Sequence, residues 1–556
     1  MDRCILFLVF LVAFAGCTRQ ETKFEEARTS TLPSLYIDLP PEEFEVILGD
    51  PEYKASAQML LLSAEKDTIY EGDLDYFKTR GNNTFWQEKK PFALKLRKKE
   101  NLLGLYKSKS FVLLANFFDE SHIRNAIAFD LAHAIGLSAP RYAFLSLYIN
   151  GKYVGLYQMT NKIDVNKHLL NIVDLNELNK QENPLPLDKY AQFCIGSEPD
   201  VQSRGMLLEY SPEDYSGGYL LELVHLDNKK TPCGFAVSTG EWMNIRSPKY
   251  ASEVEVNYIK NVLDSVVEAL DPSSGKDIAK YIDMHSFALY YLLQEVLQNP
   301  DGCINSFHMY KEQDDALLYA GPVWDFDVSI NNVCFLGVLS LPNELSIRRW
   351  PGIIDPKSGI LFNLLRWNPQ FQDYVADLYL DTFGPRFHAY LESGAIDSLS
   401  KWVYYDVERD NDLYHNRMDP SYDVALQRVT SFLEQRLDFL DWYYQSAPSD
   451  RVCVTDITDS LNPRYLYSPV GQPFALPETY CVEGLSNHSP IPVWYYAGTD
   501  SIVQDGIKLY KDCRIELRWR EPTWKEIQSR RIYRIMEKWN VHIKTVNHSS
   551  FVSKPL

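Results

Sequence analysis

The chain has 556 residues, 45% hydrophobic and 24% charged, which is ample material for a large core and excludes a low-complexity or disordered chain. Its formal charge of -19 argues against a nucleic-acid partner and against electrostatic docking on anionic membranes. Aromatic residues reach 13%, with 36 tyrosines; this suits carbohydrate-stacking surfaces, but packed, hydrogen-bonded tyrosine in a large core is the simpler account.

The amino terminus reads MDRCILFLVFLVAFAGCTRQ, with Arg3 ahead of an apolar run from Ile5 to Ala15 that is too short to span a bilayer and has the form of a secretory h-region. Ala15-Gly16-Cys17 resembles a bacterial lipobox, whose cysteine becomes the lipidated first residue, although Phe14 stands where leucine is more usual. A conventional signal peptide or a buried helix with an incidental cysteine are the alternatives. Residues 1–17 are therefore expected to be a lipoprotein signal with its lipidation cysteine, and residues 18–32 a flexible polar tether. No later segment reads as a transmembrane helix, so membrane contact is expected only through the lipid. Besides Cys4 and Cys17 there are Cys194, Cys233, Cys303, Cys334, Cys453, Cys481 and Cys513, with no CxxC or zinc spacing, and an odd number cannot all pair within one chain.

From residue 33, LPSLYIDL alternates as a strand, PEEFEVILGD has proline and acidic residues at a helix start, and AQMLLLSAEKDTIYEGDLDYFKTRGN reads as strand, turn, strand. The loop Arg80-Gly81-Asn82-Asn83 follows. In KKPFALKLRKK the alternation puts Phe92 and Leu94 on one face and Ala93 and Lys95 on the other, where a small neighbour leaves room for a ligand. An ordinary surface lysine among Lys89, Lys90, Arg97, Lys98 and Lys99 is the alternative reading of Lys95. The segment from Asp119 to Gly136 predicts a helix with Asp119 as N-cap, Ile123, Ile127, Leu131 and Ile135 on one face and Gly136 as the stop. YAFLSLYINGKYVGLYQM predicts a hairpin turning at Asn150-Gly151. Residues 165 to 216 are polar and irregular and suggest a surface insertion. In GGYLLELVHLD, Glu222 interrupts an apolar strand, which is costly unless it is paired, so a ligand contact and a structural ion pair are both open. Helices are expected at 251–270, 276–298 and across 355–445. Residues 452–545 read mostly as short strands, with a helix around KEIQSRRIYRIMEKW, and residues 448–556 form a separate β-rich module of unstated ligand.

The stretch from Gln298 to Asp327 organises the rest. An apolar helix runs into Asn299-Pro300-Asp301-Gly302, where proline and glycine end it and set Asp301 on a tight turn. SFHMY, a charged turn and LLYAGPVW then lead to Asp325-Phe326-Asp327, a hairpin-like element that carries three carboxylates to strand ends. Like charges repel in a partly dry site unless a cation sits between them, and such oxygen ligands suit Mg²⁺ or Mn²⁺ with phosphate oxygens and water. By spacing alone, a turn-capping Asp301 with solvated Asp325 and Asp327 explains the pattern as well.

This element resembles the catalytic core of the spore coat protein H (CotH) kinase-like family, in particular its secreted lipoprotein branch. Lys78 to Thr84, Lys90 to Lys95, Ile123-Arg124-Asn125, Tyr148 to Tyr157, Gly218 to Leu223 and Arg246-Ser247-Pro248 match in the same order. The resemblance implies an α+β fold, an atypical two-lobed protein-kinase-like domain over 33–447 followed by the β-rich module. It implies ATP with Mg²⁺ or Mn²⁺ as cofactors, and phosphoryl transfer to Ser or Thr of a secreted or surface protein at the bacterial cell envelope. In that scheme Asp301 orients or accepts the hydroxyl, Asp325 and Asp327 hold metal, Lys95 and Arg80 neutralise phosphate, and Glu222 lies in the nucleotide site. Asn305 is the nearest counterpart of the kinase metal-binding asparagine, but Ser306 occupies the expected spacing. Many relatives carry an acidic residue where Asn161 stands, and no glycine-rich phosphate loop is visible. Because ATP is scarce outside the cytoplasm, the competing class is a non-catalytic surface scaffold binding a glycan or host protein, partly through the C-terminal module. A glycoside hydrolase using Asp301 and Asp325 is a third option.

Overall fold

The computed structural model describes residues 30–196, 201–224, 231–332, 341–345, 359–414, 421–458, 463–477 and 491–522. Cys17, residues 18–29 of the expected tether, Cys334, Cys481 and the expected helix near residue 530 lie outside them; the tether ends sooner than expected, because Leu32 is fully buried in the main core. With 35% helix and 28% strand the chain is a mixed α+β protein.

Strands β1 (Ser34–Asp38), β2 (Gln58–Leu62), β3 (Thr68–Thr79), β4 (Phe92–Glu100), β5 (Ser108–Leu114), β6 (Tyr142–Ile149) and β7 (Lys152–Asn161) close into a barrel in the order β1-β2-β3-β4-β5-β7-β6. Alternation decides what fills it: Leu35, Ile37, Met59, Leu61, Phe77, Phe92, Leu94, Phe111, Leu147 and Tyr157 are buried together. Lys95 therefore faces outward. The β6–β7 turn has positive φ at both Asn150 (49°) and Gly151 (75°), matching the right-handed twist of the strands it joins. Helix α1 (Pro41–Gly49) spans β1 and β2.

Helix α2 (Arg124–Ile135) begins four residues later than the sequence pattern suggests, with Ile123 in place of Asp119 at the N-cap, because Asp119 is engaged otherwise: its carboxylate accepts the Ser121 and Arg124 N–H groups and pairs with the Arg124 guanidinium. The helix is buried nearly all round, not on one stripe, so even Arg124 and Asn125 face the interior.

The polar stretch after β7 is more regular than its composition implies. It holds α3 (Leu175–Glu182), β8 (Gln192–Ile195) and β9 (Ser203–Met206). With β10 (Tyr219–Val224), β11 (Gly234–Ala236), β12 (Trp242–Ser247), β13 (Phe307–Lys311) and β14 (Leu318–Ala320), these strands make a second sheet, ordered β14-β13-β10-β12-β11-β9-β8. Helix α4 (Glu253–Leu270) starts at a capping box between Ser252 and Glu255, and α5 (Met284–Leu297) at an Asp283 cap. Helices α6 (Ile360–Trp367), α7 (Pro369–Leu378), α8 (Gly384–Glu392), α9 (Ala395–Leu413) and α10 (Tyr422–Gln445) share one core with α2, α4, α5 and the second sheet.

Helix α9 locks this body to the barrel. Asp406 accepts the Ser146 hydroxyl at 2.8 Å, while Asp410 accepts the Leu156 N–H and pairs with the fully buried Lys89, both at 2.8 Å. Last come β15 (Arg451–Asp456), β16 (Arg464–Pro469), β17 (Pro473–Phe474), β18 (Ile491–Tyr496), β19 (Ile507–Lys508) and β20 (Cys513–Arg520). They form a four-stranded sheet, β16-β15-β20-β18, and a β17-β19 pair over a small core of Val452, Val454, Leu466, Trp494 and Ile515. Cys194, Cys233, Cys303, Cys453 and Cys513 are free thiols, and no helix among the described residues is long and apolar enough to cross a membrane.

Candidate active site

Helix α5 ends at Gln298, which adopts left-handed φ of 45° and returns its N–H to the carbonyls of Gln294 and Glu295. A short 3₁₀ turn, Asp301–Cys303, follows. It closes tightly, because a Cβ on Gly302 would lie 2.0 Å from Gln294 Oε1. Asn299 ties this turn to the other carboxylate strand: its Oδ1 accepts the Asp301 N–H at 3.3 Å and its Nδ2 donates to Asp325 O at 3.0 Å.

Asp325 has φ of 69°, a conformation costly for a side chain without glycine's freedom and held by its surroundings. Ser306, also at positive φ (57°), donates its hydroxyl to Asp325 Oδ2 at 3.2 Å. Asn125 on α2 accepts the Phe326 N–H at 2.8 Å, and Asn332 Nδ2 donates to Asp327 O at 2.6 Å. The Asp-Phe-Asp segment is thus held by three side-chain amides from separate parts of the chain.

Burial and mutual repulsion govern the three carboxylates. Asp301 is pushed up to about 7, first by burial and then by Asp325. Burial raises Asp325, against the pull of the Arg80 guanidinium and the Ser306 hydroxyl. Asp327 rises well above the carboxylate range through burial and the fields of Asp325, Asp301 and Asp119. A cation among them would relieve this cost. Among the described residues, no group of three or more His, Cys, Asp or Glu side chains is arranged to hold a metal ion.

Basic residues line the adjoining wall. Arg80, at the end of β3, lies over the Trp324 ring at 5.6 Å, and burial lowers its pKa while Asp325 supports its charge. Glu222 stands opposite His308 in the β10–β13 register and pairs with Arg246 of β12 at 3.4 Å. Burial pushes Glu222 up, yet Arg246, His308 and Arg80 together hold it below the usual glutamate range. His308, 2% exposed, is pushed down to about 4 by burial, so it is neutral at pH 7. Lys162 is exposed as a whole residue, yet desolvation of its ammonium, followed by the fields of Arg246, Lys249 and Arg80, lowers its pKa against the pull of Asp164.

The structure thus gathers Asp301, Asp325, Asp327, Arg80 and Glu222. Asn305 donates its backbone N–H to Asp301 O at 2.8 Å, and the neighbouring Ser306 hydroxyl reaches Asp325. Lys95 is placed elsewhere: it points out of the barrel and pairs with Asp75 at 2.8 Å, both residues partly exposed. Asn125, Asn299, Arg246, His308 and Lys162 are site residues to which the sequence pattern gives no role, whereas Ser306 stands at the spacing expected for the kinase asparagine. Glu222 carried the one usable signal, since an acid inside an apolar strand demands basic partners on its neighbours.

A family model described as CotH kinase protein matches residues 77–440. One similar solved structure is that of the Helicobacter pylori proinflammatory kinase CtkA, 8% identical, covering 66% of this chain and 96% of its own, with a TM-score of 0.21. No curated protein matches.

Proposed function

The chain belongs to the CotH kinase family, and from that premise we propose that it is a metal- and ATP-dependent protein kinase acting on Ser or Thr hydroxyls of a secreted or surface protein. One observation carries the reading: Asp301 and Asp325, half-buried, and Asp327, buried, are brought together and mutually repelling, with Arg80 beside them. A scaffold without a ligand at this point gains nothing from that cost.

In this reading Asp325 and Asp327 hold Mg²⁺ or Mn²⁺. Two carboxylates suffice, because such ions commonly take the rest of their shell from phosphate oxygens and water. The ion would neutralise charge on the transferring phosphoryl group. Asp301 orients the acceptor hydroxyl and takes its proton, a task suited to a carboxylate raised towards neutrality. Arg80, Lys162 and Arg246 offset phosphate charge, replacing Lys95, which is engaged with Asp75. Glu222 keeps Arg246 in place. The barrel and the helical body would serve as the two lobes of a kinase-like domain, with lipid on Cys17 holding the protein at the outer side of the cytoplasmic membrane or beyond.

The test is calorimetric titration of ATP with Mg²⁺ or Mn²⁺ into the chain lacking residues 1–17, beside Asp325→Ala. Metal-dependent binding that the variant loses supports the kinase site. No binding with either ion would reject it in favour of a non-catalytic scaffold.

A further inference from the structure

The C-terminal sheet reaches the Asp301 turn through a short chain of contacts. Gln298, 2% exposed, begins that turn in its left-handed conformation, and its Nε2 donates to Leu341 O at 2.8 Å and Glu344 O at 3.2 Å. Those carbonyls belong to residues 341–345, which lie along β16 as an added strand: Glu344 bridges Leu466, the Leu345 N–H donates to Tyr465 O, and the Tyr467 N–H donates to Asn343 O. Leu341 packs onto the sheet's own core.

Three guanidinium groups fasten this strand, those of Arg464, Arg436 and Arg366. Arg464 of β16 donates to both Glu344 carboxylate oxygens, at 3.3 and 2.8 Å, and Glu344 is fully buried. Arg436 of α10, also fully buried, donates to Pro342 O and Glu344 O on one side and to Glu295 O and Oε1 on the other, so it joins the strand to the last turn of α5. Arg366 of α6 also donates to Leu345 O at 3.2 Å, so the acceptors of Gln298 are fixed by the sheet together with Arg436 and Arg366. A buried carboxylate deprived of its partner does not stay in place, because its desolvation is then uncompensated.

We infer that the C-terminal sheet is a working part of the site, with Glu344 and Arg464 as positioning residues that hold the Asp301 turn through Gln298. For its catalytic readout this rests on the kinase reading; its structural readout does not.

The experiment compares the wild-type chain with Arg464→Met, Arg464→Lys and Gln298→Gly, by hydrogen exchange over residues 299–305, by Mg·ATP titration and by steady-state transfer. Glycine accepts the φ of Gln298, so Gln298→Gly removes the clamp while leaving the turn sterically allowed. In Arg464→Met and Gln298→Gly exchange over 299–305 is expected to rise at least about tenfold, with kcat falling by a similar factor and KM for ATP little changed. Arg464→Lys recovers part of both. Unchanged exchange in folded Gln298→Gly or Arg464→Met would overturn the inference. Failure of the wild type to bind Mg·ATP would overturn only the kinase reading, since the exchange comparison still decides this one. If Arg464→Met does not fold, Gln298→Gly alone decides it.

Discussion

Asn125 Oδ1 accepts the backbone N–H of Phe326 at 2.8 Å, joining the first turn of α2 to the middle of the Asp-Phe-Asp segment. The same amide donates to Asn116 Oδ1 at 3.1 Å, and Asn116 in turn donates to Gln158 of β7 and to His122 O, both at 3.0 Å. The site's acidic segment is thus wired to the barrel through consecutive buried amides, and its geometry depends on both bodies.

Replacing Asn125 with leucine preserves apolar volume but leaves the Phe326 N–H and Asn116 Oδ1 buried without these partners. Each such loss costs about 1–3 kcal/mol, so Asn125→Leu is expected to be destabilised by about 2–6 kcal/mol in urea unfolding. Metal-dependent ATP binding should weaken as well, because Asp325 and Asp327 flank the released peptide.

Asp301 gives a pH prediction with a definite sign. Its carboxyl titrates near the ordinary 3.8 when unfolded and near 7 when folded, so between these values the native state keeps a proton that the unfolded chain has lost. The stabilisation from this group is complete below about pH 4 and disappears as pH rises through about 7. Without divalent metal, wild type should lose on the order of 4 kcal/mol more than Asp301→Asn between pH 4 and pH 8, measured by denaturant unfolding at each pH. Equal pH dependence in the two proteins would show that Asp301 is not raised.

The strand pattern was readable where only local alternation mattered: Phe92 and Leu94 do fill the barrel, and the Asn150-Gly151 turn does close β6 onto β7. The carboxylate turns were readable because proline and glycine mark them. Which basic residue meets which acid was not. Arg246 faces Glu222 only because β12 lies beside β10, a pairing set by long-range topology, and Lys95 lost its expected part because Asp75 lies within reach on the same barrel surface. Lys89 looked like one surface lysine among several. Its burial depends on α9, whose Asp410 arrives hundreds of residues later.

Arg80 and Lys95 separate the two accounts of phosphate binding. Arg80 supports the ionised form of Asp325 and borders the carboxylates, so Arg80→Gln should weaken Mg·ATP binding by about tenfold or more, with Arg80→Lys intermediate because lysine lacks the planar fork. Lys95→Ala removes only an exposed pair with Asp75 and is expected to leave affinity within about twofold. Calorimetry on the three variants checks this, and a large loss in Lys95→Ala would restore the role expected from sequence.

The Lys89–Asp410 pair tests how the barrel is held to the helical body. Both side chains are fully buried; Lys89 Nζ also donates to Leu156 O at 2.5 Å and lies 4.9 Å from the Tyr157 ring centroid. Lys89→Met keeps the aliphatic stem but leaves the Asp410 charge buried without its lysine, at an expected cost of about 3–5 kcal/mol. Adding Asp410→Asn removes that charge while its amide oxygen can still accept the Leu156 N–H, so the double variant should be more stable than Lys89→Met alone. Gly155→Ala attacks the same place from β7, since a Cβ there would lie 2.4 Å from Asp410 Oδ1 at a backbone φ of +132°. Denaturant unfolding of these proteins and of Asp410→Asn alone measures the coupling, and a Lys89→Met variant as stable as wild type would show that the pair does not hold the barrel in place.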